Sequence, residues 1–270
     1  MVKKIFQRGY IWLVLAFLYA PILLLAVYSF NNSQVIGQWS DEWTVDLYKQ
    51  LFASGELMTT VANTLILAFV SSIISTVLGT MGAIGMFYSK KRTRNALNTV
   101  TQIPVINAEI VTAISTALVC TMFAFGRTYV SLLIGHVILT FPFVVLNVTP
   151  KLKQMDSNLY EAALDLGATP TQALFKVVIP QILPGIFSGF LIAITLSLDD
   201  YIITTFTKPS TFNTISTFVF DAYAKGGRSA DVPALRALST IIFAVIIIMV
   251  IVKNIVSNKQ DLKTKGEKRR

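Results

Sequence analysis

The feature that most constrains this chain is a series of long apolar runs separated by short charged segments. The first run extends from Tyr10 to Phe30, and similar runs recur as far as residue 256. A helix of about 20 mostly apolar residues crosses the hydrocarbon core of a membrane. Because 54% of the 270 residues are hydrophobic and only 14% are charged, the sequence predicts an all-α integral membrane protein rather than a soluble domain.

Six of these runs are long enough to cross a bilayer. We predict transmembrane helices at residues 10–30, 61–88, 97–125, 129–148, 181–207 and 237–256. The first run is too long for a signal-peptide core, so we expect it to remain as a span. Residues 1–270 then form a single transmembrane domain, with a polar internal loop at 151–180 and a basic tail at 257–270.

The distribution of basic residues predicts the orientation. Of the 23 Lys and Arg residues, 17 fall in segments that a cytoplasmic N-terminus places inside, which leaves 6 outside. This bias predicts that both termini and the 151–180 loop are cytoplasmic. The net charge of +9 therefore reflects topology and contact with anionic membrane lipid, and it does not indicate a nucleic-acid partner.

The polar loop contains residues that typically start and end two short helices. Glu161 to Leu166 favours a first helix, which Gly167 ends by adopting a positive φ angle. Thr169 then caps a second helix that has Pro170 at its first position, and Pro180 opens the fifth span. From the residues alone, this helix-turn-helix is either a docking element or an ordinary surface loop.

Acidic residues inside predicted spans are candidates for function. Each costs about 2.5 to 3.5 kcal/mol on insertion scales, and the predicted spans that contain them have no Lys or Arg that would neutralise them. A polycationic solute would supply the missing charge; protonation, or pairing with a partner subunit, would do so as well. The candidate pathway residues are Glu109, Thr112, Ser197, Asp199 and Asp200.

Several kinds of chemistry are absent from the sequence. No segment matches the P-loop pattern that cradles ATP phosphates, so ATP would have to be used by another polypeptide. The lone His136 and the lone Cys120 offer no ligand set for a metal, and we assign both to helix packing. No catalytic triad or metalloprotease spacing is present, so we expect a protein that is not an enzyme and binds no cofactor.

A family resemblance sharpens the interpretation of the loop. The pattern Glu161-Ala162-Ala163, three residues, Gly167, nine residues, Val177-Val178-Ile179-Pro180 resembles the EAA signature of permeases of ABC importers. Val177 and Ile179 stand where the usual signature has Ile and Leu. The resemblance implies that residues 161–175 form a coupling helix docked on a separate ATPase subunit. The residues it assigns to coupling are Glu161, Ala162, Ala163, Gly167 and Phe175.

Nearly the whole chain is similar to spermidine/putrescine permeases of the PotC type. The resemblance is carried by residues 19–22, 29–31, 109–115, 141–145 and 195–200. It implies that Glu109, Asp199 and Asp200 take part in polyamine passage, although those permeases have Asp at the position of Glu109. It also places a tryptophan near the outer end of the channel, for which Trp43 is the candidate.

These expectations describe a transport subunit in the plasma membrane of a bacterium. The resemblance implies a heterodimer with a second, homologous permease, two copies of an ABC ATPase and an extracytoplasmic polyamine-binding protein. ATP closure of the ATPase would drive alternating access. Two alternatives remain open at this point: an ABC permease for another small solute, and an ion-coupled secondary transporter that uses the intramembrane acids.

Overall fold

The computed structural model describes residues 2–33, 38–156, 158–224, 233–245 and 247, with side chains from residue 9 onward. Within this part of the chain the regular structure is helical, and the β pairing is a single antiparallel bridge between Asn31 and Trp43. The helices, in chain order, are α1 Val2–Tyr28, α2 Asp46–Ala53, α3 Gly55–Tyr88, α4 Lys91–Ile106, α5 Glu109–Met122, α6 Tyr129–Gln154, α7 Asn158–Asp165, α8 Pro170–Ala173, α9 Ile179–Asp199, α10 Ile202–Thr207, α11 Ile215–Ala224 and α12 Pro233–Val245.

Four stretches of helix in the described residues are long and apolar enough to cross a membrane. They are Gly9–Tyr28, Gly55–Tyr88, Tyr129–Gln154 and Pro170–Asp199. The pair α4 and α5 makes a fifth if it counts as one broken span. Four of the predicted spans, at 10–30, 61–88, 129–148 and 181–207, therefore coincide with long apolar helices.

The predicted span at 97–125 is not one continuous helix. Its segment is divided into α4 and α5, which meet at an angle of 108°. Asn107 and Ala108 both have extended backbone angles and separate the two helices. The predicted span at 181–207 is also interrupted, because α9 ends at Asp199 and α10 begins at Ile202.

The predicted sixth span and the tail fall largely outside the described residues. Within 237–256, helix is described at residues 237–245 and 247. The basic tail at 257–270 lies wholly outside the description. The short helices α2 and α11 lie between predicted spans.

The chain forms two compact units, Met1–Met58 with Val219–Arg270, and Thr59–Phe218. In the first unit the Asn31 side chain organises the segment after α1. Its Oδ1 accepts hydrogen bonds from the backbone N–H groups of Ser33 and Ser40, both at 3.1 Å. Arg236 is buried in this unit, where its Nη1 donates to the Ser33 carbonyl at 2.8 Å and its guanidinium lies over the Tyr28 ring.

In the second unit α6 is the central helix and packs against α4, α5, α9 and α10. Val144, which is fully buried on α6, fits against a glycine from each of two neighbours. A Cβ atom on Gly79 of α3 would lie 2.7 Å from the Val144 side chain, and one on Gly189 of α9 would lie 3.1 Å from its Cα. The absence of side chains at these positions lets three helices approach closely.

Candidate functional site: an acidic cavity and a helical bracket

The break between α4 and α5 determines where Glu109 lies. Glu109 is the first residue of α5, directly after the extended Asn107 and Ala108. A carboxylate in the first turn of a helix complements the positive end of the helix dipole. The side chain is exposed within the isolated chain, so it is available to the space beside the bend.

The break between α9 and α10 gives two adjacent acids different surroundings. Asp199 ends α9 and its side chain is exposed, whereas Asp200 has an extended backbone and a fully buried side chain. The Asp200 Oδ1 accepts the Ile203 N–H at 3.1 Å. Its Oδ2 accepts the N–H and the hydroxyl of Thr204, at 2.8 Å and 2.6 Å. Asp200 therefore caps α10, while Asp199 remains exposed.

A cavity of about 510 Å³ connects the two breaks. It contains four of the predicted pathway residues, Glu109, Thr112, Asp199 and Asp200, and no Lys or Arg is among the described residues around it. The remaining wall is mostly apolar or aromatic, and its members include Leu139, Phe143, Thr195, Leu196 and Tyr201. The arrangement suits a ligand that carries positive charge on an apolar framework.

Two predicted pathway residues lie outside this wall. Ser197 is buried between helices, where its hydroxyl is 3.1 Å from the Ser71 hydroxyl of α3 and 2.7 Å from Nδ1 of His136. Trp43 belongs to the other unit, where its ring meets Trp39 edge-on at 5.6 Å between centroids. A pathway role for Trp43 stays a prediction.

His136 is the residue that the sequence analysis undervalued. It is fully buried on α6, and its two ring nitrogens contact Ser197 of α9 and Thr204 of α10, at 2.7 Å and 3.0 Å. Nε2 also lies 3.4 Å from the Asp200 Oδ2. A buried imidazole requires hydrogen-bond partners. In the sequence, the only indication of these partners was the seven-residue spacing of Ser197 and Thr204.

A second element lies at the other end of the same unit, in residues 158–178, which we call the bracket. The turn of the bracket has the predicted backbone conformation. Gly167 has a φ angle of 88°, its N–H bonds to the Leu164 carbonyl at 2.9 Å, and the Ala168 N–H bonds to the Ala163 carbonyl at 3.0 Å. This pair of hydrogen bonds is the Schellman motif, and it confirms the predicted end of the first helix.

The predicted start of the second helix is also confirmed. Thr169 and Gln172 form a reciprocal capping box, and Pro170 occupies the first helical position. Pro180 lies in the first turn of α9, in agreement with its predicted place at the start of the fifth span, and α8 runs into α9 through a π-helical turn, Leu174–Val178. In that turn the Ile179 N–H bonds to the Leu174 carbonyl, five residues back. The wider turn makes room for Pro180, which lacks an N–H and would crowd a regular α-helix.

One face of the bracket packs on the helices and another is exposed. Leu159, Tyr160 and Leu174 lie against a buried cluster formed by the ends of α3, α6 and α9. By contrast, Leu166 is 89% exposed and Phe175 is 61% exposed. Glu161 and Ala162 are exposed as well, and Ala163 is buried. The bracket therefore joins the ends of the long helices to a free, partly apolar surface.

Comparison with known proteins identifies the family. Residues 75–260 match the family described as binding-protein-dependent transport system inner membrane component. The chain belongs to this family. Its members are transport components of the inner membrane, so this chain is a multi-pass membrane transport subunit and not an enzyme.

Two curated relatives illustrate how far the similarity extends. The putrescine transport system permease protein PotI of Escherichia coli is 30% identical over 237 residues, which cover 85% of this chain and 83% of that protein. The spermidine/putrescine transport system permease protein PotC of the same species is 28% identical over 98% of both chains. Both alignments extend over most of the two chains compared.

Solved structures support the fold of this family member. A bacterial ABC transporter for the import of alginate matches with a TM-score of 0.69 at 18% identity, over 92% of each chain. A methionine ABC transporter in an inward-facing conformation matches with a TM-score of 0.57 at 18% identity, over 73% of this chain and 95% of that chain. The fold is therefore that of ABC transporter permeases.

Proposed function

We propose that this chain is the permease subunit of an ATP-driven importer that carries polyamines, spermidine and putrescine, into a bacterial cell. The observation that carries the proposal is the cavity where Glu109 and Asp199 meet with no basic residue among the described residues of its wall. Relatives named as putrescine and spermidine/putrescine permeases support the same solute class.

The chemistry of the cavity fits a polyamine in two ways. Ammonium groups separated by methylene segments need carboxylates at intervals and apolar wall between them, and the cavity combines both. The rings of Phe143 and Tyr201 also line it, and an ammonium group over an aromatic face gains about 0.5 to 2 kcal/mol. A neutral solute would leave the intramembrane carboxylates uncompensated.

The bracket supports coupling to an ATPase. Its exposed apolar side chains, Leu166 and Phe175, suit a groove on a separate subunit, and its buried face contacts the helices that surround the cavity. In the proposed assembly two copies of an ABC ATPase act on this chain and on a second, homologous permease, and an extracytoplasmic binding protein delivers the solute. Closure of the ATPase on ATP moves each bracket as a rigid body and opens the pathway outward.

The basic residues support the orientation of this assembly. The segments that carry most of the Lys and Arg residues include the bracket region and both termini, and basic loops remain on the cytoplasmic side. The bracket then lies on the side of the membrane where ATP is available. The same residues would contact anionic lipid headgroups.

The test is uptake of labelled spermidine and putrescine by cells with and without this chain. We expect saturable uptake that requires the chain, competes with other polyamines and does not compete with thiamine or quaternary amines. If one of those solutes competed and other polyamines did not, that solute would be the substrate instead of a polyamine. Uptake by proteoliposomes that lack any ATPase would instead favour an ion-coupled carrier.

A further inference from the structure

We propose that His136 is a positioning residue that keeps Asp200 in place as the cap of α10, so that Asp199 and Glu109 bind the ammonium groups of the solute. The proposal rests on the proposed function and assigns different roles to two adjacent acids. In this division Asp200 shapes the site and Asp199 contacts the substrate.

The first argument is the burial of Asp200. Its side chain is fully buried, and its two oxygens already accept three hydrogen bonds from Ile203 and Thr204. A solute ammonium group would have to reach a carboxylate whose side chain has no exposed surface and whose donors are buried. The Asp199 side chain, by contrast, is exposed.

The second argument comes from counting donors and acceptors around His136. The Thr204 hydroxyl donates its proton to the Asp200 Oδ2, so the Thr204 oxygen accepts from the imidazole Nε2–H at 3.0 Å. With the proton on Nε2, Nδ1 accepts from the Ser197 hydroxyl at 2.7 Å. One tautomer of His136 therefore satisfies every member of the chain from α9 through α6 to the α10 cap.

The third argument is that α6 also fixes the rest of α10. The Ser131 hydroxyl donates to the Thr207 carbonyl at 2.9 Å. Gly135 lies so close to Ile203 that an added Cβ would come within 2.6 Å of its side chain. At the far end of α10, the Arg127 Nη2 donates to the Thr205 carbonyl at 2.8 Å. With α10 held along its length, the hydrogen bonds of Asp200 determine where the α9 end, and with it Asp199, lies.

The matched variants are Thr204→Val, which removes the hydroxyl between His136 and Asp200 at constant shape, and Thr204→Ser, which retains it. His136→Met, a replacement of similar volume without ring nitrogens, removes the imidazole itself. Thr205→Val is the control, because the Thr205 hydroxyl bonds only to the Tyr201 carbonyl of its own helix. All four are assayed in the complete transporter, reconstituted with its permease partner, ATPase and binding protein.

We expect Thr204→Val and His136→Met to raise the KM for both polyamines on the order of tenfold, the factor that corresponds to one net hydrogen bond. The ratio of the spermidine KM to the putrescine KM should also change, because the spacing of Asp199 and Glu109 is no longer fixed. Maximal rates should stay within about twofold, Thr204→Ser should restore the KM, and Thr205→Val should match the unsubstituted transporter.

A purely structural role predicts a different result. Loss of folded transporter lowers the maximal rate and leaves the KM and the KM ratio unchanged, and that outcome in His136→Met and Thr204→Val would overturn the positioning role. Failure of the unsubstituted transporter to move polyamines would instead overturn the proposed function. The two failures are thus separated by the behaviour of the unsubstituted protein.

Discussion

The acidic cavity and the bracket are built in opposite ways for opposite surroundings. Among apolar helices, the cavity presents carboxylates to its interior, and outside those helices the bracket presents Leu166 and Phe175 at its surface. Each arrangement is unfavourable for the isolated chain and favourable with a partner, a cation in one case and an apolar protein groove in the other. We therefore expect each partner to bind where polar or apolar groups are exposed against the preference of their surroundings.

The two regions also differ in the interactions that stabilise them. The turn of the bracket is made by neighbours in sequence, through Gly167 and the Thr169 cap. The cavity depends on residues far apart in sequence, since Asp200 is held through His136, 64 positions earlier. Substitutions in the bracket should consequently affect coupling, and substitutions at the cavity should affect solute affinity.

The largest effect is expected from a charge on the exposed face of the bracket. Phe175→Asp should lower the maximal rate of polyamine uptake by at least about tenfold, because it removes an apolar anchor of the ATPase contact, and the KM should remain unchanged. Uptake kinetics and copurification of the ATPase measure this. Phe175→Leu, which keeps an apolar side chain, should retain both. Full uptake in Phe175→Asp would mean that the exposed face is not the contact.

A cavity substitution should show the reverse pattern. Asp199→Asn should raise the KM for spermidine by at least about tenfold, since hydrogen bonds to a charged group contribute about 1.5 to 3 kcal/mol, and ATPase copurification should not change. Glu56→Gln, which neutralises an exposed acid in the first turn of α3, serves as the control. An unchanged KM in Asp199→Asn would show that Asp199 does not contact the solute. The expected contrast between cavity and bracket substitutions would then fail.

The smallest effect is expected where charge is kept and reach is shortened. Glu109→Asp should raise the KM by less than the roughly tenfold expected of Asp199→Asn, because the carboxylate charge that accepts the hydrogen bond stays and only its reach is shortened. Glu109→Gln, which loses the charge, should resemble Asp199→Asn. Equal KM values for the two Glu109 variants would show that the carboxylate charge at this position does not contribute to binding.

Local patterns predicted much of the architecture. The apolar runs located four helices long enough to cross a membrane, because the length of a span depends on composition alone. The Gly167 turn and the Thr169 cap were predictable because a positive φ angle and an N-cap are properties of a few adjacent residues. Acids within apolar runs marked Glu109 and Asp199, since the cost of burying charge needs no knowledge of the fold.

Other features depended on contacts that no local pattern encodes. The 108° bend after Ile106 lies in a segment whose composition suits a single helix. The continuation of the bracket into α9 requires a π-helical turn, which Pro180 alone did not indicate. Ser197 belonged to a polar stripe that was consistent with a pathway, and the structure instead turns it toward His136.

The sequence by itself indicated a membrane permease with acidic residues in its apolar runs and a helix-turn-helix in its polar loop, because these properties follow from composition, spacing and turn chemistry. The tertiary structure decided how the acids are surrounded. Asp199 and Asp200 are adjacent and chemically identical, and they differ only because α9 ends between them and α6 presents His136 and its partners to one of them. This difference between the two acids arises from helix packing, which brings together residues that are far apart in the sequence.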